Sequence, residues 1–318
     1  MKFIDQLKEK AKQNKKTIVL PETSDMRTIE AAGKVLAEGI ANIILVGDKE
    51  DIMSRAGDID LSGASFVDPK NYEKFDEYVD AFVEMRRKKG MTEARAKELL
   101  LTNPLYFGCM MVKQDDADGM VAGAINASAD VLRAALQTLK TAPGTRIVSA
   151  FFLVVVPDCQ YGANGTFVFA DAGLNQSPSA SELADIAEQS AKSFELLVDE
   201  TPVVAMLSHS TKGSAKHPDV DKVIEATEIV NAEFPDLLCD GELQSDAALV
   251  PEVAASKAPG SKVAGHANVL VFPDLDAANI GYKLVQRLAK ADAIKILEAI
   301  KDKAEAYYGI YSMIHKRW

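Results

Sequence analysis

The feature that most constrains this chain is an alternation of two kinds of segment. Short apolar runs rich in β-branched residues fall at 17–21, 42–46, 117–123, 146–156, 165–171, 203–208, 237–243 and 269–273. Each reads as a strand. Stretches whose apolar residues return every three or four positions fall at 26–38, 72–89, 92–101, 129–141, 180–197, 220–233, 277–290 and 291–306, and read as helices. Strands that are apolar throughout are buried on both faces. Interleaved with helices, they predict an α/β protein whose mainly parallel sheets carry helices on both sides.

The chain has 318 residues, enough for two such domains. Thr141-Ala-Pro-Gly144 reads as a helix stop and a turn near the middle. We expect a discontinuous first domain, 1–143 plus 290–318, and a second domain of 144–289. In open α/β sheets ligands bind beyond the carboxyl ends of the strands, often between domains, so a shared cleft is expected.

The formal net charge of −11 disfavours nucleic acid as a partner. No apolar run is long enough to span a membrane, and the amphipathic start lacks the apolar stretch of a signal peptide. Cys109, Cys159 and Cys239 are too widely spaced for a disulfide framework or a zinc site. The expected compartment is the cytoplasm.

Several stretches carry residues suited to chemistry. In Gly123-Ala-Ile-Asn126-Ala-Ser128-Ala-Asp130-Val-Leu-Arg133 a strand runs through a polar loop into a helix. Ser128 is expected to cap that helix, with its first amides pointing outward and Arg133 leaning back over them. A phosphoryl cradle and a plain capped helix with a surface arginine fit these residues equally. Arg86-Arg-Lys-Lys-Gly90-Met-Thr92 reads as a helix end, a left-handed glycine and a capping threonine. Pro157 to Asp171 reads as a β-hairpin holding Cys159. No histidine lies near that cysteine in sequence, so it is expected to line a pocket rather than act as a nucleophile.

Ser208-His-Ser-Thr211-Lys212-Gly-Ser-Ala-Lys216-His217 offers hydroxyls, lysines and a glycine at a strand end, before a helix starting at Pro218. It suits a polyanion, without the Walker pattern. Asp240-Gly-Glu242-Leu-Gln244-Ser245-Asp246 places carboxylates at another strand end, where capping by Ser245 or Asp246 is the simpler account. Asn279 and Lys283 lie one helical turn apart, and His266 reads as an interface or surface residue.

In this order the blocks 86–92, 123–144, 157–171, 207–217, 240–253 and 258–291 resemble the phosphate acetyltransferase family and its phosphate butyryltransferase relatives. The acetyl branch is the more similar. The resemblance implies reversible acetyl transfer between acetyl phosphate and coenzyme A. It implies two three-layer α/β/α domains around a cleft, related to the isocitrate and isopropylmalate dehydrogenases, in a homodimer without a metal or prosthetic group. Arg133 and Arg86 match the family's arginines near the phosphoryl and coenzyme A groups, Cys159 matches a cysteine near the site that is not an obligatory nucleophile, and Ser128 falls in the same loop as Arg133. We expect Arg133 to be catalytic, and Arg86, Ser128, Cys159, Thr211, Lys212 and Lys283 to bind substrate.

After Ala293 the chain departs from that pattern. The family continues with an Asp-Leu-Ser-Arg-Gly segment and a further aspartate, the proposed base. Here it reads Ile294-Lys-Ile-Leu-Glu-Ala-Ile-Lys and ends in Met313-Ile-His-Lys-Arg-Trp318. A weak or silent relative that binds coenzyme A or acyl phosphate is therefore the alternative to an active acyltransferase. A dehydrogenase of the related fold is disfavoured by the block match.

Overall fold

The computed structural model describes residues 3–141 and 146–297, which fall into two compact units. The first unit contains α1 (Phe3–Gln13), β1 (Thr17–Leu20), α2 (Met26–Glu38), β2 (Asn42–Val46), α3 (Lys49–Ala56), β3 (Ser65–Val67), α4 (Phe75–Arg86), α5 (Glu93–Thr102), α6 (Pro104–Lys113), β4 (Gly119–Met120) and α7 (Ser128–Thr138). Its sheet has the order β3-β2-β1-β4 and is parallel throughout.

Strand side chains alternate between faces, and both faces are buried. Ile18, Leu20, Ile43 and Leu45 meet Ile29, Ala32 and Val35 of α2 and Ile52 of α3. Val19, Ile44 and Val46 meet Phe82, Phe107 and Ala134 on the other side. The layering is therefore helix, sheet, helix, as the uninterrupted apolar strands predict. Asp25 caps α2 by accepting from the Arg27 amide at 2.8 Å, and Gly39 ends it in the left-handed region. The 86–92 block behaves as a helix junction: Gly90 has φ +77°, and Thr92 accepts from the Arg95 amide at 3.4 Å.

Below the strands, Asp116 accepts hydrogen bonds from Tyr78 and, at 3.2 Å, from Tyr72, and pairs with Lys74. In the first unit three elements were not legible as such, namely α3, β3 and α6. Helix α6 is apolar almost all round, so it lacks the one-sided period that marks a surface helix.

The second unit contains β5 (Ala150–Val155), β6 (Thr166–Ala170), α8 (Ala180–Val198), β7 (Val203–Leu207), α9 (Pro218–Glu233), β8 (Leu238–Leu243), α10 (Ser245–Leu249), α11 (Pro251–Lys257), β9 (Val269–Val271), α12 (Leu275–Leu288) and β10 (Asp292–Leu297). The sheet order is β10-β5-β6-β9-β7-β8. Strands β6, β9, β7 and β8 are parallel, while β5 is antiparallel to both β6 and β10. The expected hairpin between β5 and β6 is present. Helix α8, the longest in this unit, starts with a reciprocal capping box between Ser179 and Glu182.

The expectation of a helix over 291–306 is corrected over 292–297, which form β10 with Leu297 opposite Ala150 and Asp292 opposite Val155. Alternation in Asp292-Ala-Ile-Lys-Ile-Leu suits a sheet edge, and Ile294 is buried. These six residues thus sit in the second sheet, not with the first half. Residues 298–318 and 142–144, on which the rest of the tail and the helix stop fall, lie outside the described residues. Among the described residues no helix is long and apolar enough to cross a membrane.

Candidate active site

The loop from Gly123 to Ala127 is built around a buried carboxylate. Glu22 lies just beyond the carboxyl end of β1 and is only 3% exposed. One of its oxygens accepts from the amides of Gly123 at 2.6 Å and Ala124 at 2.7 Å. The other accepts from the amides of Ile125 at 3.2 Å and Asn126 at 2.8 Å, and from Asn126 Nδ2 at 2.7 Å. Arg27, on α2, donates to the Ala124 carbonyl from the other side.

One expectation is corrected here. The amides of 123–126 belong to the loop before the helix and are bound by Glu22. Ser128 is not the cap, because the extended residue before α7 is Ala127 (φ −64°, ψ 151°), whose carbonyl accepts from the Asp130 and Val131 amides. Ser128 is instead the first helical residue, exposed at the positive end of the helix dipole.

Arg133 lies in the second turn of α7 and leans back as expected, its Nη1 2.6 Å from Asp130 Oδ1. Arg86, the last residue of α4, makes no ion pair among the described residues, and its Nε is fully buried without a hydrogen-bond partner. Both guanidiniums act electrostatically on Tyr106 of α6. Burial pushes that phenol up, while Arg133 and then Arg86 pull it down, and burial prevails. The Tyr106 ring packs edge-on against Phe82, one turn before Arg86 on α4, with centroids 5.9 Å apart. Helices α4 and α6, which carry Arg86 and Tyr106, both pack against α7, which carries Arg133.

In the second unit Cys159 sits in the β5–β6 turn, half-buried against the core of that unit. Burial pushes the other two thiols, Cys109 and Cys239, up to about 12, which leaves them inert near neutral pH. Asp171, 2% exposed at the end of β6, accepts from the amides of Gly173 at 2.8 Å, Leu174 at 2.9 Å and Asn175 at 3.1 Å. It repeats the device seen at Glu22.

The 208–217 loop is held the same way. Glu242, 2% exposed, accepts from Ser210 Oγ and the Gly213 amide, both at 2.8 Å. Thr211 is buried, and its hydroxyl exchanges hydrogen bonds with Gln244. Lys212 pairs with Asp240 and donates to the Gly241 carbonyl at 2.7 Å, so it is not the uncommitted cation expected of a polyanion loop. The expected capping by Ser245 or Asp246 is also corrected. Gln244 precedes α10 without a side-chain cap, and Asp246 pairs with Lys257 at 2.8 Å. His217 caps α9 by accepting from the Asp219 amide at 3.2 Å, which fits a helix starting at Pro218.

Asn279 Nδ2 donates to the Ala172 carbonyl at 3.5 Å, tying α12 to the loop after β6. Lys283 makes no ion pair among the described residues, and its ammonium lies 5.9 Å from the centre of the Tyr282 ring. His266 is exposed, as its sequence context suggested.

The residues that sequence reasoning missed are Glu22 and Tyr106. Glu22 follows β1 in Pro21-Glu22-Thr23, and only its five partners a hundred residues away reveal its task. Tyr106 had one local signal: Asn103-Pro104 is a cap followed by a first-turn proline, and Asn103 accepts from the Leu105 amide at 3.1 Å.

The family model described as phosphate acetyl/butaryl transferase matches residues 2–295. A phosphate acetyltransferase of Acetivibrio thermocellus is 57% identical over 293 residues, covering 92% of this chain and 88% of that protein. A phosphate acetyltransferase of Thermoanaerobacterium thermosaccharolyticum is 58% identical over 294 residues, with 92% and 89% covered. The crystal structure of a phosphotransacetylase from Streptococcus pyogenes superposes with a TM-score of 0.86 at 42% identity, covering 98% of this chain and 97% of that one. With nearly its whole length matched and more than half of its residues shared with such relatives, the chain belongs to the phosphate acetyl/butaryl transferase family.

Proposed function

We propose that the chain transfers an acetyl group reversibly between acetyl phosphate and coenzyme A. The acetyl rather than the butyryl reading is supported by the names of the relatives at 57% and 58% identity. The structural observation that supports it is that α4, with the buried unpaired Nε of Arg86 at its end, packs on α7, which carries Arg133 and an exposed start.

In the forward direction the thiol of coenzyme A gives its proton to a base, and the thiolate sulfur attacks the acetyl carbonyl carbon. A C–S bond forms. The C–O bond to phosphate breaks, and phosphate leaves with the electron pair. Charge grows on the carbonyl oxygen and the leaving oxygen, and donors fixed in advance stabilise it most. Arg133 is the catalytic residue in this reading, and Arg86 and Ser128 hold the phosphoryl group. Cys159, Thr211, Lys212 and Lys283 are the substrate-binding positions of the second unit. Thr211 and Lys212, already bonded to Gln244 and Asp240, shape their loop, whereas Lys283 is the cation free for an anionic group. No resident metal enters this chemistry. The working form is a cytoplasmic homodimer.

One observation favours a second reading, a weak or silent relative that binds the same ligands. No Ser-Arg-Gly follows Ala293, and loss of a general base alone lowers rates about a hundredfold to ten-thousandfold. Thioester absorbance with acetyl phosphate and coenzyme A separates the two. Turnover on the order of 10 per second supports the active reading. Binding of coenzyme A without turnover refutes it, and light scattering of the same sample tests the dimer.

A further inference from the structure

Two hydrogen-bond donors in the first unit lie in the same cluster and lack an acceptor. Arg86 Nε is buried and unpartnered. Tyr106 is 7% exposed, and its hydroxyl makes no hydrogen bond among the described residues. Buried polar groups are normally paired, so the orphaned Arg86 Nε calls for a partner, whereas the Tyr106 hydroxyl is not fully buried and stays open to a ligand. The neighbouring Asp130 does not serve, since it holds Arg133.

Packing holds the tyrosine in place. Its ring is fixed edge-on against Phe82, and it shares a core cluster with Ala134 and Ala135 of α7. Burial keeps the phenol protonated against the pull of both guanidiniums, so it stays a donor near neutral pH. What the group lacks is an acceptor with several oxygens, able to take a guanidinium fork and a hydroxyl together. A phosphate group has that form.

We propose that the Tyr106 hydroxyl is a further substrate contact, donating a hydrogen bond to an oxygen of the phosphate group held by Arg86 and Arg133. The oxygen comes from the acyl phosphate or from a phosphate of coenzyme A. The identity of the substrate, though not the existence of the site, rests on the transferase reading.

Tyr106→Phe removes the hydroxyl and keeps the ring on Phe82. The first measurement is the melting temperature of wild type and variant titrated with inorganic phosphate. The variant should melt close to wild type without phosphate, and its apparent phosphate Kd should rise about tenfold, the loss expected of one hydrogen bond. The second measurement is steady-state kinetics. A rise in the KM for acetyl phosphate alone assigns the oxygen to the acyl phosphate, and a rise in the KM for coenzyme A alone assigns it to the cofactor-like substrate. Unchanged phosphate affinity with both KM values unchanged overturns the proposal and leaves Tyr106 as packing. Weakened phosphate binding in a protein whose wild type shows no turnover keeps the site and refutes the transferase reading. Should the variant not fold, crystals of the wild type grown with phosphate decide. An oxygen within about 3 Å of Tyr106 Oη supports the contact, and phosphate bound elsewhere, or not bound, refutes it.

Discussion

Glu22→Gln is the sharpest test of how the 123–127 loop is built. The substitution is nearly isosteric, so it changes hydrogen-bonding capacity and little else. In the wild type five donors converge on two carboxylate oxygens, two on one and three on the other. Turning one oxygen into an NH2 group sets donor against donor at two backbone amides at least. Each buried amide left without an acceptor costs about 1–3 kcal/mol. The three remaining bonds lose their charged acceptor and weaken. The sum is about 3–5 kcal/mol, and for a domain of this size that lowers the melting temperature by about 10–15 °C. The loss is local, so amide hydrogen exchange is the discriminating assay: protection at Gly123, Ala124, Ile125 and Asn126 should fall before that of β1 and β2. Transferase turnover should fall with it, because the start of α7 is aimed by this loop. A variant that keeps its melting temperature within a degree or so, with those four amides still protected, would show that the carboxylate does not hold the loop.

Other outcomes follow from the same geometry. Burial pushes the Asp116 carboxyl up, but its bonds to Lys74 and Tyr78 outweigh burial and hold it below the usual range. A carboxyl depressed in the folded state stabilises above its unfolded value and loses that contribution as pH falls through the folded one. Asp116→Asn should therefore melt a few degrees below wild type at pH 7, with the gap closing below about pH 4; a gap that is constant with pH contradicts this. Cys159→Ser should retain turnover within about threefold, since the cysteine packs on the core with no base beside it in sequence; a loss of a hundredfold or more would make it a nucleophile after all. Lys283→Ala should raise the KM for coenzyme A about threefold to tenfold with kcat unchanged, whereas Lys212→Ala should cost more in stability than in affinity, and the reverse ranking would refute the assignment of the uncommitted cation. Chelators should leave the rate of the purified protein unaltered.

How much of this was legible in the sequence depended on the range of the interaction. The strands β1, β2 and β4 to β9 announce themselves through local composition, and the Gly90 and Thr92 junction through local chemistry. The loop at 123–127 was legible as a feature but not in its wiring. Its amides are satisfied by a residue a hundred positions earlier, and no local pattern carries that. The same blindness explains Lys212, whose partner Asp240 belongs to a different strand. Tyr106 was hidden for another reason. A helix buried all round has no polar face, and α6 offers only its Asn-Pro start. The last strand was misread because a six-residue alternation joined to a Lys/Glu-rich stretch imitates an amphipathic helix.

That last strand has a consequence for how the chain is made. Strand β5 reads Ala150-Phe-Phe-Leu-Val-Val155, six residues without a charge, a proline or a glycine. Such a segment is a strong template for pairing with a second molecule when its edge is open. One edge is closed early by β6, a short hairpin away. The other is closed only by residues 292–297, about 140 positions further on. On a ribosome adding residues at about 5–20 per second, that edge stays uncovered for several seconds. Shortening the chain before Asp292 would leave it uncovered for good, and such a truncation should be lost to aggregation in the cell.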